Sequence, residues 1–200
     1  MISNEQIIQI LKNEAVPALG CTEPVACAYA CAKCTEILGA TPDTISVEVS
    51  GNILKNGMGV GIPGTGMTGL PIAAALGAVC GKTEYGLEVL KDVLLGDNLQ
   101  RAKQMLADDA VHIALFADAP DCLYAKATCT LKDDVVVVVI QQSHVNIVRI
   151  IKNDDVLYEK EVTKKEESVS VHSELTIRRI WDFIHEVDVK DIDFVLKGAE

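Results

Sequence analysis

The chain has 200 residues, 49% hydrophobic and 24% charged, a balance that fits a globular fold of about one domain and excludes a disordered one. Its 18 Lys and Arg stand against 29 Asp and Glu, a formal charge of −11, which argues against nucleic acid or anionic lipid as the main partner. The 4% of aromatic residues argues against a stacking platform for single strands too.

Helix signals come first along the chain. Ser3 with Gln6 reads as a capping box for Ile7, Ile8 and Leu11. Thr22 is a good N-cap, with Pro24 in the first turn and Gly39 past the end, which predicts a helix over 23–38. Thr68 is expected to cap a small-residue helix, PIAAALGAVC, closed by Gly81. Thr83 starts a third, short helix, and Asp97 with Gln100 boxes a fourth that runs to about Asp109.

From residue 111 the pattern becomes β-rich: Val111–Phe116, Leu123–Leu131, Val135–Gln141, Val145–Ile151 and Val156–Glu161, separated by turns such as Lys132-Asp133-Asp134. Over 111–161 this predicts an antiparallel meander, and the apolar run Val135 to Ile140 predicts a strand covered on both faces. Two amphipathic helices follow, at 174–186 and 190–197, and the sequence then stops abruptly at Lys197-Gly198-Ala199-Glu200. The fold class is α+β: helices of small residues over 1–110, packed with the meander, and helices at the C-terminal end.

Charge is distributed unevenly. Residues 1–80 hold nine charged side chains and the other 120 hold 38, while five of the seven cysteines fall in the first 80. A segment so poor in charge is expected to be buried, under its own chain or under something else. The N-terminus lacks a basic segment followed by a continuous apolar one, and no apolar run is long enough for a membrane span, so the expected location is the cytoplasm. There the cysteines are free thiols, ligands or catalytic groups rather than a disulfide framework.

Three constellations could carry chemistry. Cys27, Cys31 and Cys34 have the C-x3-C-x2-C spacing of a three-ligand iron–sulfur site, but they also fall on one helical stripe, where Cys acts as a small buried hydrophobe among alanines. Gly64, Gly66 and Gly69 formally spell GxGxxG, without the βαβ surroundings a dinucleotide site needs. More broadly, 55–69 reads either as a Gly-rich loop feeding a helix N-terminus, an anion cradle suited to a carboxylate, or as a tight turn. The third is Gly20-Cys21-Thr22-Glu23-Pro24. Cys21 sits at a helix N-terminus, which favours thiolate, the form that binds metal or attacks; the other reading is a buried loop thiol.

ALGCTEPVA (18–26), SGNILKNGMGVGIPGTGMTGLPIAAALG (50–77) and SHVNIVRI (143–150) resemble the L-cysteine desulfidase family. That family includes proteins designated UPF0597 and is related to the α chain of iron–sulfur L-serine dehydratases. The resemblance runs along essentially the whole chain. It implies a lyase with an oxygen-sensitive 4Fe–4S cluster, which eliminates sulfide from L-cysteine and leaves pyruvate and ammonia. It also implies three cysteine ligands, with an open iron acting as Lewis acid on the leaving group. Family chains are longer, and two of the three ligand cysteines lie in a C-terminal half that this sequence does not contain. Only Cys21 carries over as a ligand. Cys27, Cys31, Cys34, Cys80, Cys122 and Cys129 fall where small or apolar residues are expected. The chain therefore resembles an N-terminal portion, whether from a truncated gene, a split subunit or a cut chain, inactive alone.

On this reading the substrate is a small amino acid, and the partner is the missing C-terminal half or a second subunit, with a homo-oligomer left open. The substrate carboxylate would be held by the 55–69 loop, through backbone amides at Gly66, the Thr65 hydroxyl and Lys55 with Asn52 and Asn56. Lys55 is the only Lys or Arg between positions 34 and 81, as suits a carboxylate clamp or a solvated turn. Glu23 and His144 are the candidates for the base at Cα, although Ser143-His144 also reads as a structural strand-end pair. Two rivals stay open: the same machinery acting on L-serine, and a catalytically incomplete partner-binding module.

Overall fold

The computed structural model describes residues 2–162 and 174–198. It falls into two compact units, one formed by Ala18–Val162, the other by Met1–Pro17 with Thr163–Glu200.

The larger unit is a mixed six-stranded sheet with a helical layer. Its helices are α2 (Thr22–Leu38), α3 (Gly51–Gly57), α4 (Leu70–Cys80) and α5 (Asn98–Ala107). The strands are β1 (Thr44–Val49), β4 (Val111–Leu115), β5 (Tyr124–Leu131), β6 (Asp134–Gln141), β7 (Ile147–Lys152) and β8 (Asp155–Glu159), in the order β4-β1-β5-β6-β7-β8. A two-residue hairpin pair, β2 (Gly61–Ile62) and β3 (Met67–Thr68), stands apart.

The α+β class holds, but the sheet is not the expected meander over 111–161. Only β5 to β8 run as one; β4 pairs in parallel with β1, and β1 lies between β4 and β5. β1 alternates, with Ile45, Val47 and Val49 fully buried. The same face continues through Ala125, Ala127 and Cys129 of β5, then Val136, Val138 and Ile140 of β6. The Val135–Ile140 run is thus fully buried on one face only; Val135, Val137 and Val139 on the other are half-buried.

α2 covers β5 and β6, and α4 lies beside α2 over β1 and β4. Small residues allow this close approach. A methyl group on Gly77 would come within 2.2 Å of the Ala28 carbonyl oxygen. Cys27, Cys31 and Cys34 are fully buried on the inner face of α2 with Ala28, Ala30 and Ala32, as the stripe reading expects.

Several boundaries differ from expectation. α2 begins at Thr22 with Cys21 as N-cap, while Gly39 closes it in the left-handed conformation, φ 80°. Gly69, not Thr68, caps α4, because the residue there needs φ 99°, which only glycine adopts without strain. Asp97 caps α5 without the boxed side-chain bond. The helix expected after Thr83 is a 3-10 helix, Thr83–Glu88, broken at Gly86.

In the smaller unit α1 (Asn4–Glu14) carries the expected Ser3–Gln6 capping box. α6 (Ile177–Glu186) starts later than residue 174, and α7 (Val189–Ile192) passes into a 3-10 turn, Asp193–Gly198. Ile2, Ile7 and Phe183 form its core. The chain end at residues 199 and 200 lies outside the described residues. Among the described residues no helix is long and apolar enough to cross a membrane.

Candidate active site

Three segments distant in sequence meet at the N-terminus of α2. Cys21 is its N-cap and exposed, and Glu23 lies in its first turn, where the helix dipole favours a carboxylate. The Cys21 thiol donates to Glu23 Oε2 at 2.9 Å. α3 is capped by Ser50, whose hydroxyl accepts from Ile53 N and donates to the Cys122 carbonyl at 2.6 Å, tying the helix to the chain ahead of β5. One turn of α3 aligns Asn52 and Asn56, and the Asn56 amide donates to Glu23 Oε1 at 3.2 Å and to Asn52 Oδ1 at 3.4 Å. The third segment is the β6–β7 turn, where half-buried His144 acts electrostatically on Glu23.

The electrostatics reverse one expectation. Position at a helix N-terminus favours a Cys21 thiolate, but the hydrogen bond to Glu23, followed by burial, raises the thiol above its ordinary range. The same bond is the main cause that lowers Glu23, with Asn56 and His144 adding to it against burial. Burial lowers His144, opposed in part by the Glu23 charge, so its imidazole is neutral at pH 7.

The Gly-rich stretch is not an open cradle. Lys55 and Asn56 belong to α3, and 58–69 folds into the β2–β3 hairpin. Thr65 is buried: its hydroxyl donates to the Ile62 carbonyl at 2.7 Å and accepts from Met67 N at 3.0 Å, while Gly69 N donates to the Val60 carbonyl. That hydroxyl therefore pins the hairpin and is out of a substrate's reach. Gly66 is exposed at the tip with φ 68°. Gly69 and Leu70 at the start of α4 are buried, so that N-terminus does not open to a ligand. The hairpin still borders the site, since a methyl group on Gly20 would lie 3.0 Å from Pro63 Cγ. Lys55 is exposed and makes no ion pair among the described residues.

Cys21 suits one position of an iron–sulfur cluster: an exposed soft sulfur donor at a helix N-terminus. The others do not join it. Burial pushes Cys27 up to about 12, and hydrogen bonding to Cys129 together with burial holds Cys31 and Cys34 well above the ordinary thiol range. Among the described residues no group of three or more His, Cys, Asp or Glu is placed to hold a metal ion. The chain's own donors fit a cluster as one ligand of several.

The fold and this cluster define an α+β domain with a thiol–carboxylate pair at the start of its central helix. No family model and no solved structure matches the chain. Curated proteins do: it is 44% identical over 195 residues to a UPF0597 protein of Bacteroides fragilis, covering 98% of this chain and 45% of that one. It is 43% identical over 201 residues to a UPF0597 protein of Bacteroides thetaiotaomicron, covering all of this chain and 47% of the relative. A UPF0597 protein of Dichelobacter nodosus is 43% identical over 197 residues, 98% of this chain and 45% of its own. Over the part it shares with them the chain belongs with the UPF0597 family, and it spans about half the length of the curated relatives it matches.

Proposed function

We propose that the chain is one part of an iron–sulfur lyase that removes sulfide from L-cysteine. The observation that carries this reading is the cluster of exposed Cys21 and Asn56 with half-buried Glu23 at one helix N-terminus, within segments that resemble the desulfidase family. Cys21 would hold one iron of a 4Fe–4S cluster, with the other ligands outside this chain, in a C-terminal half or second subunit. The cluster, when bound, supplies Lewis acidity to the leaving sulfur.

The remaining roles fall to this chain's side chains. Lys55, Asn52 and Asn56 lie on or near the exposed face of α3 that borders Glu23, and would take the substrate carboxylate. His144, neutral at pH 7, is the better acceptor for the Cα proton, and Glu23 stabilises the imidazolium that results. The C–H electron pair forms the Cα–Cβ double bond, and the Cβ–S pair leaves with sulfide. The aminoacrylate that remains is hydrolysed to pyruvate and ammonia. L-Serine would follow the same course with hydroxide as leaving group.

The test joins this chain to the part of the Bacteroides fragilis relative that it does not match, reconstitutes iron and sulfide without oxygen, and measures sulfide and pyruvate from L-cysteine and L-serine. Cys21→Ser is expected to abolish release from both, and the 200-residue chain alone to hold well under one cluster. Full turnover by Cys21→Ser overturns the ligand assignment, and pyruvate from L-serine alone identifies a dehydratase.

A further inference from the structure

We infer that the face of the Ala18–Val162 unit around Cys21 is the seat of a second polypeptide element, the counterpart of the portion of the relatives that this chain does not span. The inference rests on reading the chain as one part of a larger catalytic unit, and it adds where that element docks.

A continuous path of contacts crosses this face, with the polar cluster at its middle. On one side, a methyl group on Gly51 would lie 3.8 Å from Leu115 Cδ1, and from there α3 leads through Asn56 to Glu23 and Cys21. On the other side Gly20 meets Pro63, and a methyl group on Gly64 would lie 3.0 Å from Leu94 Cδ1. Both ends of the path are exposed leucines: Leu115 is 54% and Leu94 62% exposed, with Leu95 beside it at 61%. Glu23 and, on α3, the exposed Lys55 carry charge along the path.

A polar centre bordered by exposed leucines is costly to leave in water. Under a covering element the leucines become a border that excludes water from the centre, where charge interactions then strengthen. The occupant follows from two observations. The relatives carry more than twice the length matched here, 45% of the Bacteroides fragilis protein being covered. The exposed cluster offers one thiol and no complete set of donors among the described residues. A second copy of this chain would bring a further charge of −11 and the same Cys21 thiol again, not a different set of donors.

Hydroxyl-radical labelling tests this on two proteins without iron or substrate: the 200-residue chain, and the chain joined to the unmatched portion of the Bacteroides fragilis relative. Labelling of Leu94 and Leu115 is expected to fall at least fivefold in the joined protein, while Leu157 on β8 serves as the reference and stays unchanged. Leu94→Asp with Leu115→Asp should restore Cys21 alkylation in the joined protein to the rate of the 200-residue chain, with the thermal midpoint of the 200-residue chain kept. Should the joined protein be insoluble, the unmatched portion is co-expressed as a separate chain; failure to co-purify then overturns the proposal. Equal labelling in both proteins overturns it, as does concentration-dependent protection of Leu94 in the 200-residue chain alone, which would make a second copy the occupant. A protein that protects both leucines yet releases no sulfide after reconstitution leaves the docking face standing and removes the lyase reading.

Discussion

The Cys21 thiol and the Glu23 carboxylate are joined by a 2.9 Å hydrogen bond across the first turn of α2, with Asn56 holding the other carboxylate oxygen. The bond keeps the proton on sulfur, because the carboxylate both accepts it and repels a thiolate. Glu23→Ala removes both effects and leaves the helix N-terminus to act alone. Alkylation of Cys21 by iodoacetamide at pH 7.5 should therefore speed up severalfold, read by mass spectrometry. An unchanged rate would mean that Glu23 does not control the thiol.

The remaining cysteines divide by burial. Cys122 is exposed, whereas Cys27, Cys31, Cys34 and Cys129 are fully buried. In the native chain Cys21 and Cys122 should be alkylated first. The four buried thiols should react only at the rate of global or local opening, and all together in about 6 M guanidinium, where typical domains are unfolded. Native labelling of Cys31 would contradict the packing of α2 on the sheet.

Gly77 marks the tightest helix contact. Alanine there gains helix propensity of about 1 kcal/mol, but its methyl group would lie 2.2 Å from the Ala28 carbonyl oxygen and 2.5 Å from Ala28 Cα. Backbone cannot give way as a side-chain tip can, so overpacking wins. Gly77→Ala should destabilise by about 2 kcal/mol or more in urea titration. Gly59→Ala, which meets no atom within 4 Å, is the matched control.

Glu36 joins α2 to the start of the 3-10 helix. Its carboxylate accepts from Thr83 N at 2.9 Å and from Thr83 Oγ1 at 2.6 Å, and Lys33 lies 3.0 Å away. Burial raises its pKa, but the bonds from Thr83 and Lys33 outweigh that and leave it lowered. A lowered carboxylate contributes stability above its unfolded pKa and loses it as pH falls through the folded one. Glu36→Gln should cost about 1 kcal/mol at pH 7, discounted because a third of the side chain meets water. The gap between variant and wild type should narrow as pH falls below the ordinary carboxylate range. A gap constant from pH 7 to 3 would rule out the ionic origin.

The parts legible in sequence were those with local causes. The Ser3–Gln6 box, the Gly39 stop and the cysteine stripe of α2 each follow from residues within one or a few turns. The place of β1 has no local signal although Ile45, Val47 and Val49 alternate cleanly, since it is set by strands that begin only at Val111 and Tyr124. Thr65 pointed to substrate because a hydroxyl in a Gly-rich loop looks available; its bonds to Ile62 and Met67 depend on the hairpin closing. The meeting of Glu23 with Asn56 and His144 joins positions that no local pattern links.

The place of β1 between β4 and β5 bears on how the protein is made. When β1 emerges from the ribosome, both of its hydrogen-bonding edges lack their partners until β4 follows, roughly sixty residues later, and β5 about a dozen residues after that. At about 5–20 residues per second that is an interval of several seconds. During it a short apolar strand, Thr44–Val49, is open to any neighbouring chain. Glu48, whose carboxylate later pairs with Lys126 at 2.7 Å, is the charge within the strand that opposes such pairing while the chain waits. Slowing synthesis between residues 50 and 110 should therefore lower the yield of folded protein, and Glu48→Val should lower it further.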